Sequence, residues 1–87
     1  MLLIRCDANV PDAVRRRVEP PLERAGRRWT GLGEAFVYCV PCPGGPRELI
    51  VRVSTAQGVV PILFRVQGLD ASAVETVLRG TLMRGDL

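Results

Sequence analysis

Apolar residues recur along this chain with two different periods, and the changes between them mark out six elements. Leu2, Ile4 and Cys6 alternate with Leu3 and Arg5, the period of a strand. From Val14 to Trp29 the sequence VRRRVEPPLERAGRRW changes to helical spacing. At roughly 100° per residue, Val14, Val18, Pro21, Leu22, Ala25 and Trp29 fall in one arc. Asn9 is the expected cap of this helix, with Pro11 in its first turn. A second strand is expected over residues 35–40, between Gly31-Leu32-Gly33, taken as a turn, and a Pro-Cys-Pro-Gly-Gly-Pro loop at 41–46. Residues 47–55 alternate again, Leu49, Val51 and Val53 facing one way and Arg52 and Ser54 the other. Gln57-Gly58 turns the chain into a fourth strand over 59–66. Pro61 lacks a ladder donor and assigns that strand to a sheet edge. Asp70 caps a last helix over 71–84, where Val74, Val77, Leu78, Thr81 and Leu82 form the stripe to be buried. Gly80 within it costs on the order of 1 kcal/mol of helix propensity.

The order is therefore β-α-β-β-β-α in a single domain, residues 1–87. A right-handed crossover makes the first two strands parallel, and the short turns that follow make the others antiparallel. The expected fold is α+β: a two-layer sandwich with a four-stranded mixed sheet and two helices on one face.

Pro20 and Pro21 interrupt this scheme without changing its phase, because the apolar arc runs through them. Each removes an amide donor and crowds the preceding turn. One kinked helix, or two short coaxial segments, fits this pattern.

Charge narrows the function classes. All 12 basic side chains are arginine, and histidine is absent, which removes the commonest general base and metal ligand. A non-enzyme without a cofactor is expected. The exclusive use of arginine reflects either genomic composition or a demand for planar donors. Nothing approaches the ~20 consecutive apolar residues of a membrane span. The opening Met-Leu-Leu-Ile meets Arg5 and Asp7 at once, unlike a secretory leader, so a cytoplasmic location is expected.

On the helical wheel Arg16, Arg17, Arg24, Arg27 and Arg28 share an arc of roughly 120°, with Glu19 and Glu23 beside them and Arg15 on the far flank. Two readings compete. In one the face is merely solvated, with Glu19–Arg15 and Glu23–Arg27 as spaced ion pairs. In the other it is a basic stripe for phosphates. Aromatic residues are few: Phe36, Phe64 and Trp29 fall at expected core positions, leaving Tyr38, so no base-reading sheet is expected. Cys39-Val40-Pro41-Cys42 forms a C-x-x-C without a following helix, and Cys6 offers a third sulfur. Buried or incidental cysteines are the first expectation. An opportunistic disulfide comes second, and a metal or redox site on Cys6, Cys39 and Cys42 third.

Element order and local sequence together resemble the ribosome hibernation-promoting factor family, the ribosome-associated inhibitor or protein Y domain. Its first helix carries a pattern like acid-Ala-Ile-Arg-x-x-Val-Glu-x-x-Leu-x-Lys-x-x-Lys near an aromatic. Asp12-Ala13-Val14-Arg15, Val18-Glu19, Leu22, Arg24, Arg27 and Trp29 match it. Its last helix opens on a small-acidic segment and Ala-Ile-Asp-x-Ala, where this chain has Asp70 and then Ser72-Ala73-Val74-Glu75-Thr76-Val77. Pro21 and Gly80 stand where the family is basic. The resemblance corresponds to the short form or the N-terminal domain. It implies binding to small-subunit ribosomal RNA and repression of translation, a stress response in which the ribosome is held inactive. The matched basic positions are Arg15, Arg24 and Arg27; wheel and charge add Arg16, Arg17, Arg28, Arg79 and Arg84. The competing expectation is a protein-interaction module of the same fold, a homodimer through an edge strand, without RNA binding.

Overall fold

The structure, a computed structural model, describes residues 1–84, and of Cys42 and Arg84 it describes the backbone alone. It has strand β1 (Leu2–Cys6), helix α1 (Asp12–Arg27), strands β2 (Gly33–Cys42), β3 (Gly45–Thr55) and β4 (Gly58–Arg65), and helix α2 (Ala71–Arg84). The strands lie in the order β1-β2-β3-β4. β1 runs parallel to β2, and β2-β3-β4 form an antiparallel meander. The β-α-β-β-β-α order and α+β sandwich expected from the sequence are those observed.

Alternation explains the core. Ala35, Val37 and Cys39 on β2 meet Val53, Val51 and Leu49 on β3, and all six are buried. Val14, Val18, Leu22 and Ala25 of α1 and Val74, Leu78 and Leu82 of α2 close over them. The α2 stripe is narrower than its spacing suggested. Val77 remains 38% exposed and Thr81 is half-buried, its hydroxyl bonded to the Val77 carbonyl.

Helix α1 continues through both prolines. Pro21 is buried in the apolar stripe and Pro20 faces solvent. Two prolines inside a helix cost roughly 3 kcal/mol each. Burial of Val14, Val18 and Leu22 returns roughly 1.5–3 kcal/mol apiece, enough to offset that cost. The carbonyls of Arg16 and Arg17, which the prolines cannot serve, belong to exposed residues.

Two boundaries differ from expectation. Helix α1 is capped at Pro11 rather than at Asn9, with no side-chain bond to the cap. Asn9 instead reaches across to β2. Its Nδ2 donates to the Cys39 carbonyl at 2.8 Å and its Oδ1 accepts from the Cys39 N–H at 3.1 Å. The last ladder bond of this edge runs from Asp7 N–H to the Val37 carbonyl, so the Asn9 amide stands in for the next peptide of β1. The 41–46 loop is also shorter than expected. Both strands extend into it, leaving Pro43-Gly44 as the turn, with Gly44 at φ 97° and Gly45 at φ 120°.

β4 is an edge strand, as Pro61 implied. Val66 N–H donates to the Arg47 carbonyl, so alternation sends Phe64, Ile62 and Val60 inward to β3 and puts Pro61 on the free edge. Its missing donor breaks that row and blunts strand addition there.

Asn9→Ala should cost about 2 kcal/mol, because it strands the Cys39 N–H and carbonyl in a part-buried setting. Urea unfolding measures this. A loss below about 0.5 kcal/mol would mean that water replaces the amide.

Candidate nucleic-acid interface

Docking the apolar stripe of α1 leaves its arginines on the side away from the sheet. Arg16, Arg17, Arg24, Arg27 and Arg28 are all exposed, as the wheel placed them. Arg24 and Arg27 also lie in the last turn, where positive charge opposes the partial negative charge of a helix C-terminus. Arg15 stands apart. It is half-buried beside the Cys6 thiol, with Nε 4.0 Å from Glu19 Oε1. Glu23 and Arg27 form no ion pair among the described residues.

The two helices meet at a carboxylate that sequence reasoning did not single out. Arg24 Nε on α1 donates to Glu75 Oε1 at 2.6 Å, and Arg79 Nη2 on α2 donates to Glu75 Oε2 at 2.5 Å. The Arg24 hydrogen bond holds the Glu75 carboxyl below its usual range, and the charges of Arg24, Arg79 and Arg28 act in the same direction. The i,i+4 pair Glu75–Arg79 was legible in the sequence. The bond from Arg24, 51 residues away, was not.

Arg24 is therefore committed to joining the helices, and Arg79 to the carboxylate of its own helix. Arg16, Arg17, Arg27 and Arg28 carry no ion pair among the described residues. Arg84 ends α2, and its side chain lies outside the described residues. Trp29, half-buried, follows the helix and separates two hollows. A cleft of about 290 Å³ between the helix ends is lined by Ala25, Arg28, Trp29, Arg79, Leu82 and Met83. A groove of about 460 Å³ between α1 and β1 has Arg27 and Glu23 among its walls. The indole packs over Gly31, where a Cβ would overlap the ring, so this glycine serves packing as well as the bend.

Phe64 and Trp29 pack against the core from half-buried positions, whereas Phe36 does not sit in it. Its neighbours Ala35 and Val37 face the helices, so alternation turns Phe36 and Tyr38 to the outer face of the sheet.

Among the described residues Cys6 and Cys39 are free thiols, and no cluster of three metal-ligating side chains occurs. Burial pushes both thiols up, Cys6 also through Glu19, which disfavours the reactive thiolate. Cys42 ends β2, beyond a register shift at Val40/Pro41; the disposition of its sulfur lies outside the described residues.

No protein-family profile matches the sequence, and no curated relative does. The fold has a solved counterpart in the crystal structure of the Thermus thermophilus protein Y N-terminal domain. The TM-score is 0.53 at 21% identity, over 97% of this chain and 91% of that one. The two share a fold across almost their whole lengths.

Glu75→Gln should lower the thermal midpoint. The sign of the pH effect follows from the depressed carboxyl: its stabilisation is present above the unfolded-state pKa and is lost as pH falls through the folded value. The variant should therefore show a shallower acid limb than the parent when thermal midpoints are recorded from neutral pH downward. Parallel acid limbs would mean that Glu75 does not couple the helices.

Proposed function

We propose that this protein binds the small ribosomal subunit through the exposed arginines of α1 and represses translation there, as its resemblance to hibernation factors implies. The observation that carries this reading is segregation of charge. Arg16, Arg17, Arg27 and Arg28 lie exposed on one side of a helix, unpaired among the described residues, on a fold shared with a protein Y N-terminal domain. Guanidinium forks on a rigid helix suit the phosphate oxygens of folded RNA. The aromatics of the helical side, Trp29 and Phe64, are both half-buried against the core, so recognition rests on backbone and shape rather than on base edges. Arg24 and Arg79 contribute to the positive field of this face while staying bound to Glu75. Such a role belongs to the cytoplasm and to conditions in which ribosomes are held inactive.

The competing reading, a homodimer through an edge strand, is constrained by Pro61. β4 is blunted at its centre, so pairing would fall to β1, a strand of five residues.

Four phosphate contacts should make binding fall roughly a hundredfold between 50 and 200 mM salt. Co-sedimentation with small subunits tests this. The parent should pellet at low salt, and Arg16→Ala/Arg17→Ala/Arg27→Ala/Arg28→Ala should stay in the supernatant. Glu75→Gln, which removes a negative charge and releases two guanidinium groups, should pellet at higher salt than the parent. No pelleting of the parent at low salt would sink the ribosomal reading.

A further inference from the structure

The face of the sheet turned away from the helices has no covering layer, and its centre is neither plainly polar nor plainly apolar. The strand register aligns Arg5, Phe36 and Arg52 in one row across β1, β2 and β3. The next row is Tyr38, Ile50 and Leu63, the last 58% exposed. Phe36 and Tyr38 adjoin, with ring centroids 5.6 Å apart and planes inclined by 33°. The guanidinium carbons of Arg5 and Arg52 stand 5.8 and 5.4 Å from the centre of the Phe36 ring.

Charge on this face favours an anionic ligand. It bears Arg5, Arg52 and Arg65 against Glu34 and Glu48. Glu34 lies 3.6 Å from Arg5, and Glu48 stands opposite Arg65 in the register. Arg52, at the centre, has no carboxylate partner among the described residues. Flat π surfaces with a cation beside them, on the two central strands of an open sheet, are what an unpaired base and its phosphate require. A duplex offers no exposed base face to such a platform. An acidic protein surface would satisfy Arg52 but would leave the paired rings without a matching flat partner.

We propose that this outer face is a second binding site, for single-stranded nucleic acid. A base stacks on the Phe36–Tyr38 pair while Arg52 neutralises the adjoining phosphate, with Arg5 and Arg65 extending the track to either side. Arg5 and Arg52 are exposed, and an exposed cation–π contact is weaker than a stacked base. Exchange of a guanidinium for a base over Phe36 is therefore downhill. The inference shares with the ribosomal reading only the class of ligand, and it uses the opposite side of the molecule.

Fluorescence anisotropy with a labelled oligouridine of about twelve nucleotides, with a blunt RNA duplex of equal length as comparator, tests it at low salt. The parent should prefer the single strand. Phe36→Leu should weaken single-strand binding about tenfold, the size of one lost stacked base. Arg52→Gln should weaken it severalfold, and its position on the solvent face keeps the test valid if Phe36→Leu disturbs the fold. Neither should change pelleting with small subunits, whereas the four-arginine variant of α1 should lose pelleting and keep most of its oligouridine affinity. Binding of oligouridine without pelleting would defeat the ribosomal reading alone. Parent-like affinity in both sheet variants would overturn the present inference. So would failure of the parent to bind the single strand, which would leave this face to a protein partner.

Discussion

Burial of one stripe of α1 against the inner face of the sheet is the constraint on which the rest of this molecule depends. Val18 and Leu22 are fully enclosed, and Gly26 passes so close to Leu2 that a Cβ there would lie 2.9 Å from the Leu2 Cβ. That contact fixes how far α1 can rotate about its own axis, and the rotation decides which charges meet water. With the stripe held down, Arg16, Arg17, Arg27 and Arg28 must point outward, and Arg15 must lie on the β1 side beside Cys6. Pro20 and Pro21 survive inside the helix for the same reason. Packing supplies the free energy that local propensity withholds.

The arginines are not equivalent once the second helix is in place. Glu75 draws Arg24 and Arg79 together, so part of the basic surface is used to hold the surface in shape. An ion pair between partly exposed groups adds little stability by itself. Its larger consequence is geometric, since the shared carboxylate bridges α1 to α2 and holds Arg79, which lines the cleft beside Trp29. The same carboxylate weakens the positive field that an RNA phosphate would meet. Affinity and order pull against each other at this residue.

The sheet divides the molecule into two unlike faces. Inside, alternation delivers an apolar layer to the helices. Outside, it places Phe36 and Tyr38 side by side, with the guanidinium groups of Arg5 and Arg52 over the Phe36 ring, cross-strand contacts that contribute modestly to the sheet. The edges differ as well. β4 is guarded by Pro61, while β1 ends in a side-chain substitute for backbone pairing, the Asn9 amide.

Local sequence by itself determined the element order and the arc of arginines on α1, through residue spacing. It also determined the mixed sheet, through connection length and crossover hand, and the edge position of β4, through Pro61. Alternation also contained the outward direction of Phe36; its aromatic character had suggested the core, but its place between Ala35 and Val37 was the better guide. Tertiary structure alone decided that Arg24 is spoken for. The bond from Arg24 to Glu75 joins residues 51 apart in sequence, and the service of Asn9 to Cys39 joins residues 30 apart. No local period encodes such contacts. They exist because packing the helices on the sheet brings distant polar groups within hydrogen-bonding reach.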